Sequence, residues 1–230
     1  MCTMRFLVKK RANTIFVLFL PIFLFTVANT FSQDGPGGVG ATSGSSNLVL
    51  WLNPDTAGNT NTLWKDASTN SYDFTSGNGA TLTSNNVNGY NTYSFNGSSN
   101  YFDKSYENTL NPTSFSIFTT TNVVSTSDYK AVVSSRENTP STKGFILYAL
   151  PTNNFWSFWT SSEGDSEWRL TGNYNSTAGN WSVETLLFSS ATNGKKLYIN
   201  NGLDDERTNS FTPNSSSSFR IGAGANENPT

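Results

Sequence analysis

Leu63–Asn70, LWKDASTN, then Asn88–Phe95, NGYNTYSF, and Asn96–Phe102, NGSSNYF, decide how this chain is read. Short runs of β-branched and aromatic residues, Thr92–Phe95 and Tyr101–Lys104, are set off by clusters of Asn, Ser and Gly, which is how strands joined by turns look in sequence. The same rhythm runs outward in both directions. Strands are expected at Leu48–Leu52, Thr92–Phe95, Tyr101–Lys104, Ser114–Thr121, Lys130–Ser134, Gly144–Leu150 and Asn154–Thr160. Others are expected at Glu167–Leu170, Trp181–Ser189, Lys195–Asn200 and Ser218–Gly222. No stretch sustains the three-and-four apolar spacing of a helix. So many closely spaced strands argue for two packed antiparallel sheets. ATNGKKLYINNG is the strongest local signal: Asn193-Gly194 and Asn201-Gly202 read as turn dipeptides around an alternating strand, with Leu197 and Ile199 facing one way and Tyr198 and Asn200 the other.

The opening segments also resemble a known surface domain, the laminin-G-like, concanavalin A-like jelly roll of secreted bacterial proteins. In that family a Trp-x-Asp-x-Ser element is followed by a variable hairpin, an Asn-Gly, and a Phe-(Asp/Asn)-Gly-x-x-(Asp/Asn)-Tyr strand entry. Here these are Trp64, Asp66 and Ser68; Asn88 and Gly89; and Phe95, Asn96, Gly97, Asn100 and Tyr101. Gly179-Asn180-Trp181 leading into Leu197-Tyr198-Ile199-Asn200 is similar to the family's late hairpin, so the resemblance covers most of Asn47–Ala225. It implies an all-β, two-sheet antiparallel jelly-roll sandwich. Family members usually continue into a Phe-x-Gly-x-(Ile/Leu)-x-Glu strand that closes the sheet beside the first strand. This sequence stops at Asn228-Pro229-Thr230, so the final closing strand is missing and the chain reads as a fragment of a longer protein.

Residues 1–32 read as a secretory signal peptide. Arg5, Lys9, Lys10 and Arg11 form a basic leader, and Ile15–Val27 is an apolar run that is short and interrupted by a proline. Cleavage is expected after Ser32, with Ala28 as the alternative site and an uncleaved anchor as the alternative reading. Residues 33–46 are a Gly/Ser-rich linker containing Pro36. Residues 47–230 form one domain on the secreted or cell-surface side, with no membrane insertion once the leader is gone.

Four of the 14 basic residues lie in the leader and none of the 16 acidic ones do, so the exported chain carries a net charge of −6. It has no basic stripe to neutralise phosphates, and nucleic acid is not an expected partner. The one cysteine, Cys2, leaves with the leader, which excludes a disulfide framework and thiol chemistry. With no histidine, Ser-His-Asp hydrolysis and zinc catalysis are excluded.

Glu163-Gly164-Asp165-Ser166-Glu167 is the tempting catalytic feature. Period two on a strand would set Glu163, Asp165 and Glu167 on one face, as the related jelly-roll glucanases present their nucleophile and acid. Gly164 and Ser166 stand where those enzymes interleave apolar residues, so the segment reads instead as a solvated hairpin turn, with the active site as the alternative. The aromatics are the better binding candidates, because sugar rings stack on Trp and Tyr while polar groups bond the hydroxyls. Trp156 and Phe158 share one face of their strand and Phe155 and Trp159 the other, so both pairs cannot enter one core. Trp156, Trp159 and Trp168 are the expected ligand-binding residues, against the plainer reading that all are core; Trp51, Trp64 and Trp181 are expected in the core.

The resemblance further implies calcium in some relatives, with Asp66, Asn96, Asn100 and Asp103 the positions to watch. Asp204-Asp205-Glu206 and Asn226-Glu227-Asn228 are alternatives, and solvated turns are the plainer reading of both. The expected function is a non-catalytic module binding a glycan or an extracellular protein. The competing classes are a glycoside hydrolase acting on polysaccharide and a structural spacer.

Overall fold

The computed structural model describes residues 47–76, 78–124, 128–137, 143–150, 155–160, 169–175 and 179–224. The elements below lie within the unit Val49–Thr230. Fourteen strands run in chain order: β1 (Leu63–Trp64), β2 (Phe74–Thr75), β3 (Thr81–Val87), β4 (Tyr90–Ser94), β5 (Phe102–Lys104), β6 (Phe115–Asn122) and β7 (Lys130–Ser134). They continue as β8 (Phe145–Ala149), β9 (Phe155–Thr160), β10 (Arg169–Asn175), β11 (Trp181–Phe188), β12 (Lys195–Ile199), β13 (Gly202–Arg207) and β14 (Phe219–Ile221). The helical content among the described residues is one 3-10 turn, Asn108–Leu110.

The strands assemble into an eight-stranded antiparallel sheet, ordered β1-β2-β5-β14-β7-β8-β9-β10, a four-stranded sheet, ordered β13-β12-β11-β6, and the separate β3–β4 hairpin. This is an all-β, two-sheet jelly-roll sandwich. Alternation decides what lies between the sheets. Phe145, Leu147 and Ala149 of β8 and Trp156 and Phe158 of β9 enter the core from one side, and Leu186, Phe188, Leu197 and Ile199 from the other. Phe115 bridges them, its ring 4.9 Å from Phe145, 5.9 Å from Phe188 and 6.3 Å from Phe158.

A second aromatic nest holds the opening motif. Trp64, Tyr93 and Phe102 meet at centroid distances of 4.4, 5.6 and 5.0 Å, and Phe95 joins Phe102 at 6.2 Å. Tyr93 donates its hydroxyl hydrogen toward the carbonyls of Thr60 and Leu63, at 2.8 and 3.1 Å, and burial pushes its phenol up to about 12.

Several sequence expectations are corrected here. Leu48–Leu52 forms no strand beyond the bridge of Leu52 to Asp66. Its backbone groups are taken instead by side chains: Asp66 Oδ1 accepts from Trp51 N, and Val49 O accepts from Ser68 Oγ and Asn70 Nδ2. The acidic Gly202–Arg207 is a strand rather than a solvated turn, with Lys196 paired to Glu206 at 2.7 Å. The turn before it lies one residue earlier than expected. Asn200 and Asn201 have φ of 50° and 69° and Gly202 already pairs with Ile199, because a two-residue hairpin turn needs both central residues at positive φ and Asn tolerates that region. Trp181 is 42% exposed rather than core, since Glu184, Leu186 and Phe188 take the inward positions of β11.

Candidate functional site

On the face of β8 and β9 turned away from the core, Tyr129, Ala131, Arg136, Ile146, Tyr148 and Trp159 line a cavity of about 180 Å³. Strand parity builds its floor. Phe145, Leu147 and Ala149 point inward, so Ile146 and Tyr148 point outward; Trp156 and Phe158 point inward, so Trp159 points outward. Register then sets Ile146 beside Trp159, and Ala131 beside Tyr148. Tyr129, 55% exposed, stands at the open side with its ring 5.8 Å from that of Tyr148.

Arg136 is placed by the segment after β7. Ser135 N donates to Phe145 O at 2.9 Å, Phe145 N to Ser135 Oγ at 3.2 Å, and Arg136 N to Ser134 Oγ at 3.1 Å. Gly144, at φ +83°, permits this approach: a Cβ there would stand 2.2 Å from the Ser135 carbonyl oxygen. Glu137 is buried and anchored to Lys143 at 3.6 Å and to Ser215 Oγ at 2.7 Å. Arg136 itself lies over Trp159, its guanidinium carbon 4.4 Å from the ring centroid, within cation–π range. The site thus combines aromatic faces, phenol groups and a planar cation.

The sequence candidates fall in different places. Trp159 lines the cavity. Trp156 is fully buried on the opposite face of the same strand, in the core, where a ligand outside cannot reach it. Trp168 and the carboxylates Glu163, Asp165 and Glu167 lie outside the described residues. Arg136, Tyr148 and Tyr129 were not singled out from the sequence; parity in Phe145–Ala149 could have shown Tyr148 facing outward, but Arg136 lies beyond its strand and carries no such signal.

The side-chain oxygens of Asp66, Asn96 and Asn100, three of the positions expected to hold calcium, accept hydrogen bonds from the chain itself. Asp66 Oδ1 accepts from Trp51 N and Ser68 N, at 2.9 and 2.8 Å, and Oδ2 from Ser68 Oγ and Tyr72 N, at 2.6 and 2.9 Å. Asn96 Oδ1 accepts from the amides of Ser98, Ser99 and Asn100, and Asn100 Oδ1 from Asn96 N. This is turn capping, and it does not fit a hard cation that needs free oxygens. Among the described residues no group of three or more His, Cys, Asp or Glu could hold a metal.

Two other ionisable groups are buried on the inner face. Glu184 accepts from Thr119 and Thr121 hydroxyls at 2.8 and 3.0 Å, and burial raises its carboxyl pKa despite those bonds. Lys195 donates to Thr160 Oγ1 at 2.9 Å and lies 5.1 Å from the Phe158 ring centroid, and burial pulls its amine down to about 7.

No family model matches the chain, and no curated protein matches its sequence. The fold is shared with a solved structure. A Trypanosoma rangeli sialidase, solved with a difluoro-KDN ligand, matches at TM-score 0.56 and 14% identity over 83% of this chain and 29% of its own. The chain therefore spans under a third of that enzyme's length. The carbohydrate binding module CBM66 from Bacillus subtilis matches at TM-score 0.38 and 9% identity, over 63% of this chain and 84% of its own. At that score the second likeness is too loose to argue from.

Proposed function

We propose that this chain is an exported, non-catalytic glycan-binding module of the laminin-G-like kind, and that its site is the cavity over β8 and β9. The observation that carries the reading is Arg136 stacked on Trp159 beside Tyr148 and Tyr129 in one recess. Aromatic faces match the apolar faces of sugar rings, while guanidinium and phenol groups bond hydroxyls. The volume of about 180 Å³ is below the ~300 Å³ at which drug-sized pockets begin, so it suits one sugar unit, such as a chain end, rather than a long polymer groove. Export rests on the leader at residues 1–32.

The hydrolase reading requires Glu163, Asp165 or Glu167 on this same face, two of them about 5 to 5.5 Å apart for a retaining mechanism. Titration of monosaccharides and glycan arrays against the exported chain, with reducing-sugar release measured in parallel, tests both. Binding that is lost in Arg136→Ala and Tyr148→Ala supports the module. Reducing-end release that disappears in Glu163→Gln or Glu167→Gln contradicts it.

A further inference from the structure

Five Asn-Gly pairs lie in this chain, at 78–79, 88–89, 96–97, 193–194 and 201–202. In such a pair the side-chain amide can be attacked by the next backbone nitrogen, because glycine has no side chain to screen that nitrogen. The reaction needs two freedoms: an Asn amide able to swing, and a following N–H not committed to a hydrogen bond. All five asparagines are exposed, so exposure does not separate them.

Hydrogen bonding does separate them. Gly79 N donates to Ser76 Oγ at 3.0 Å, and a Cβ on Gly79 would stand 2.8 Å from the Asn61 carbonyl oxygen. Asn96 is pinned at both ends of its amide, Oδ1 accepting from the amides of Ser98, Ser99 and Asn100 and Nδ2 donating to Ser99 Oγ at 2.9 Å. Asn193 donates through Nδ2 to Glu206 at 3.2 Å and accepts at Oδ1 from Thr208 at 3.3 Å, while Gly194 N donates to Ala191 O at 2.9 Å. Gly202 is the ladder partner of Ile199, the position whose N–H closes a two-residue turn. Asn88-Gly89 carries none of these restraints. Val87 pairs with Tyr90, so Asn88 and Gly89 are the two central residues of the turn between β3 and β4, with φ of 51° and 87°. Neither the Asn88 amide nor the Gly89 N–H has a hydrogen-bond partner among the described residues. Nothing lies within 4 Å of where a Gly89 Cβ would stand, and Tyr90 beside it is 66% exposed, so this tip has room to flex.

We propose that Asn88 is a site of spontaneous covalent modification, in which Gly89 N attacks Asn88 Cγ. A new bond from Gly89 N to Asn88 Cγ closes a succinimide ring as the bond from Cγ to Nδ2 breaks, and the Gly89 amide proton leaves with Nδ2 as ammonia. Water then opens the ring at either carbonyl, giving aspartate at 88 or its isoaspartyl isomer. The only co-reactant is water. Both products add a negative charge to the hairpin tip. Aspartate keeps the turn, since Asp-Gly favours the same conformation as Asn-Gly. Isoaspartate routes the backbone through the side chain and adds a methylene to a turn built for two residues, so the pairing of Val87 with Tyr90 is lost.

Peptide mapping by mass spectrometry tests this on the exported chain aged at mildly alkaline pH, folded and in denaturant, with released ammonia as the second readout. In the folded chain aspartate and isoaspartate should accumulate at Asn88 ahead of Asn78, Asn96, Asn193 and Asn201. In denaturant the restraints are gone, so those four should speed up by roughly fivefold or more, the factor that one or two net hydrogen bonds contribute, and react at rates comparable to Asn88. Asn88→Asp keeps the turn and has no amide to lose, so it should remove the fast phase of ammonia release and leave the melting temperature unchanged. An Asn88 that stays intact while the other pairs react overturns the proposal. So does the same spread of rates in the folded and denatured chains, or a fast phase of ammonia release that persists in Asn88→Asp.

Discussion

Arg136 lies over Trp159, with its guanidinium carbon 4.4 Å from the indole centroid, and Trp159 is 7% exposed. The two residues come from different segments, a loop after β7 and the outward face of β9, and meet only because Ser135 and Gly144 fix the loop. An arginine stacked on an aromatic floor is held in place before any ligand arrives, which lowers the ordering cost of binding.

Arg136→Ala should weaken sugar binding by roughly 10- to 150-fold, the range of a hydrogen bond to a charged group worth ~1.5–3 kcal/mol. Arg136→Lys should recover only part of the loss, because an ammonium neither stacks as a plane nor offers a forked set of donors. Isothermal titration with the best-binding monosaccharide checks both, and equal affinity in all three proteins would remove Arg136 from the site.

Asp66→Ala should destabilise the domain by on the order of 3 kcal/mol or more, since four donors, three of them backbone amides, lose a charged acceptor together. Chemical denaturation of the two proteins measures it. Chelator should leave the wild-type midpoint unchanged, in keeping with a carboxylate that serves the chain's own donors.

Gly222→Ala should cost about 2–3 kcal/mol through overpacking and a strained backbone. Gly222 has φ +86°, and a Cβ there would stand 2.6 Å from Phe95 Cδ1, whose ring is held edge-on by Phe102. A thermal melt reads the loss directly, and an unchanged melting temperature would contradict the close approach.

Stability should rise with pH between about 7 and 10.5 on account of Lys195. Its folded amine titrates near 7 and its unfolded amine near 10.5, so across that window the unfolded chain holds the extra proton. The charged neighbours are Arg207, which adds to the lowering, and Asp205, which opposes it. Glu184 acts with the opposite slope. Its folded carboxyl lies above the ordinary 4.5, so its contribution is full below that pH and is lost as pH rises through the folded value. Melting curves should lose the first slope in Lys195→Met and the second in Glu184→Gln.

What the sequence discloses here is what depends on neighbours in the chain. The shared face of Leu197 and Ile199, the strand Lys130–Ser134 and the opposite faces of Trp156 and Trp159 all follow from period-two alternation, and all are where that alternation puts them. Failures arise where a distant group decides. Leu48–Leu52 has strand composition, yet Asp66, fifteen residues beyond Trp51, captures its backbone. Asp204–Glu206 reads as solvated until Lys196 and Arg207 are seen to pair with it. Trp181 has core chemistry, but the parity of β11 was set by Leu186 and Phe188. The cavity divides the same way: alternation separates Trp156 from Trp159 without saying which faces out, and Arg136 carries no signal at all, because a close approach of Ser135 and Gly144 positions it.

The most direct test of the account is a glycan-array and monosaccharide-titration screen of residues 33–230, run beside Arg136→Ala and Trp159→Phe with reducing-sugar release monitored. The account predicts saturable binding of a sugar or glycan chain end, weakened in both variants, with no release of reducing ends. Binding that both variants retain in full, or reducing-end release by the wild type, would contradict it.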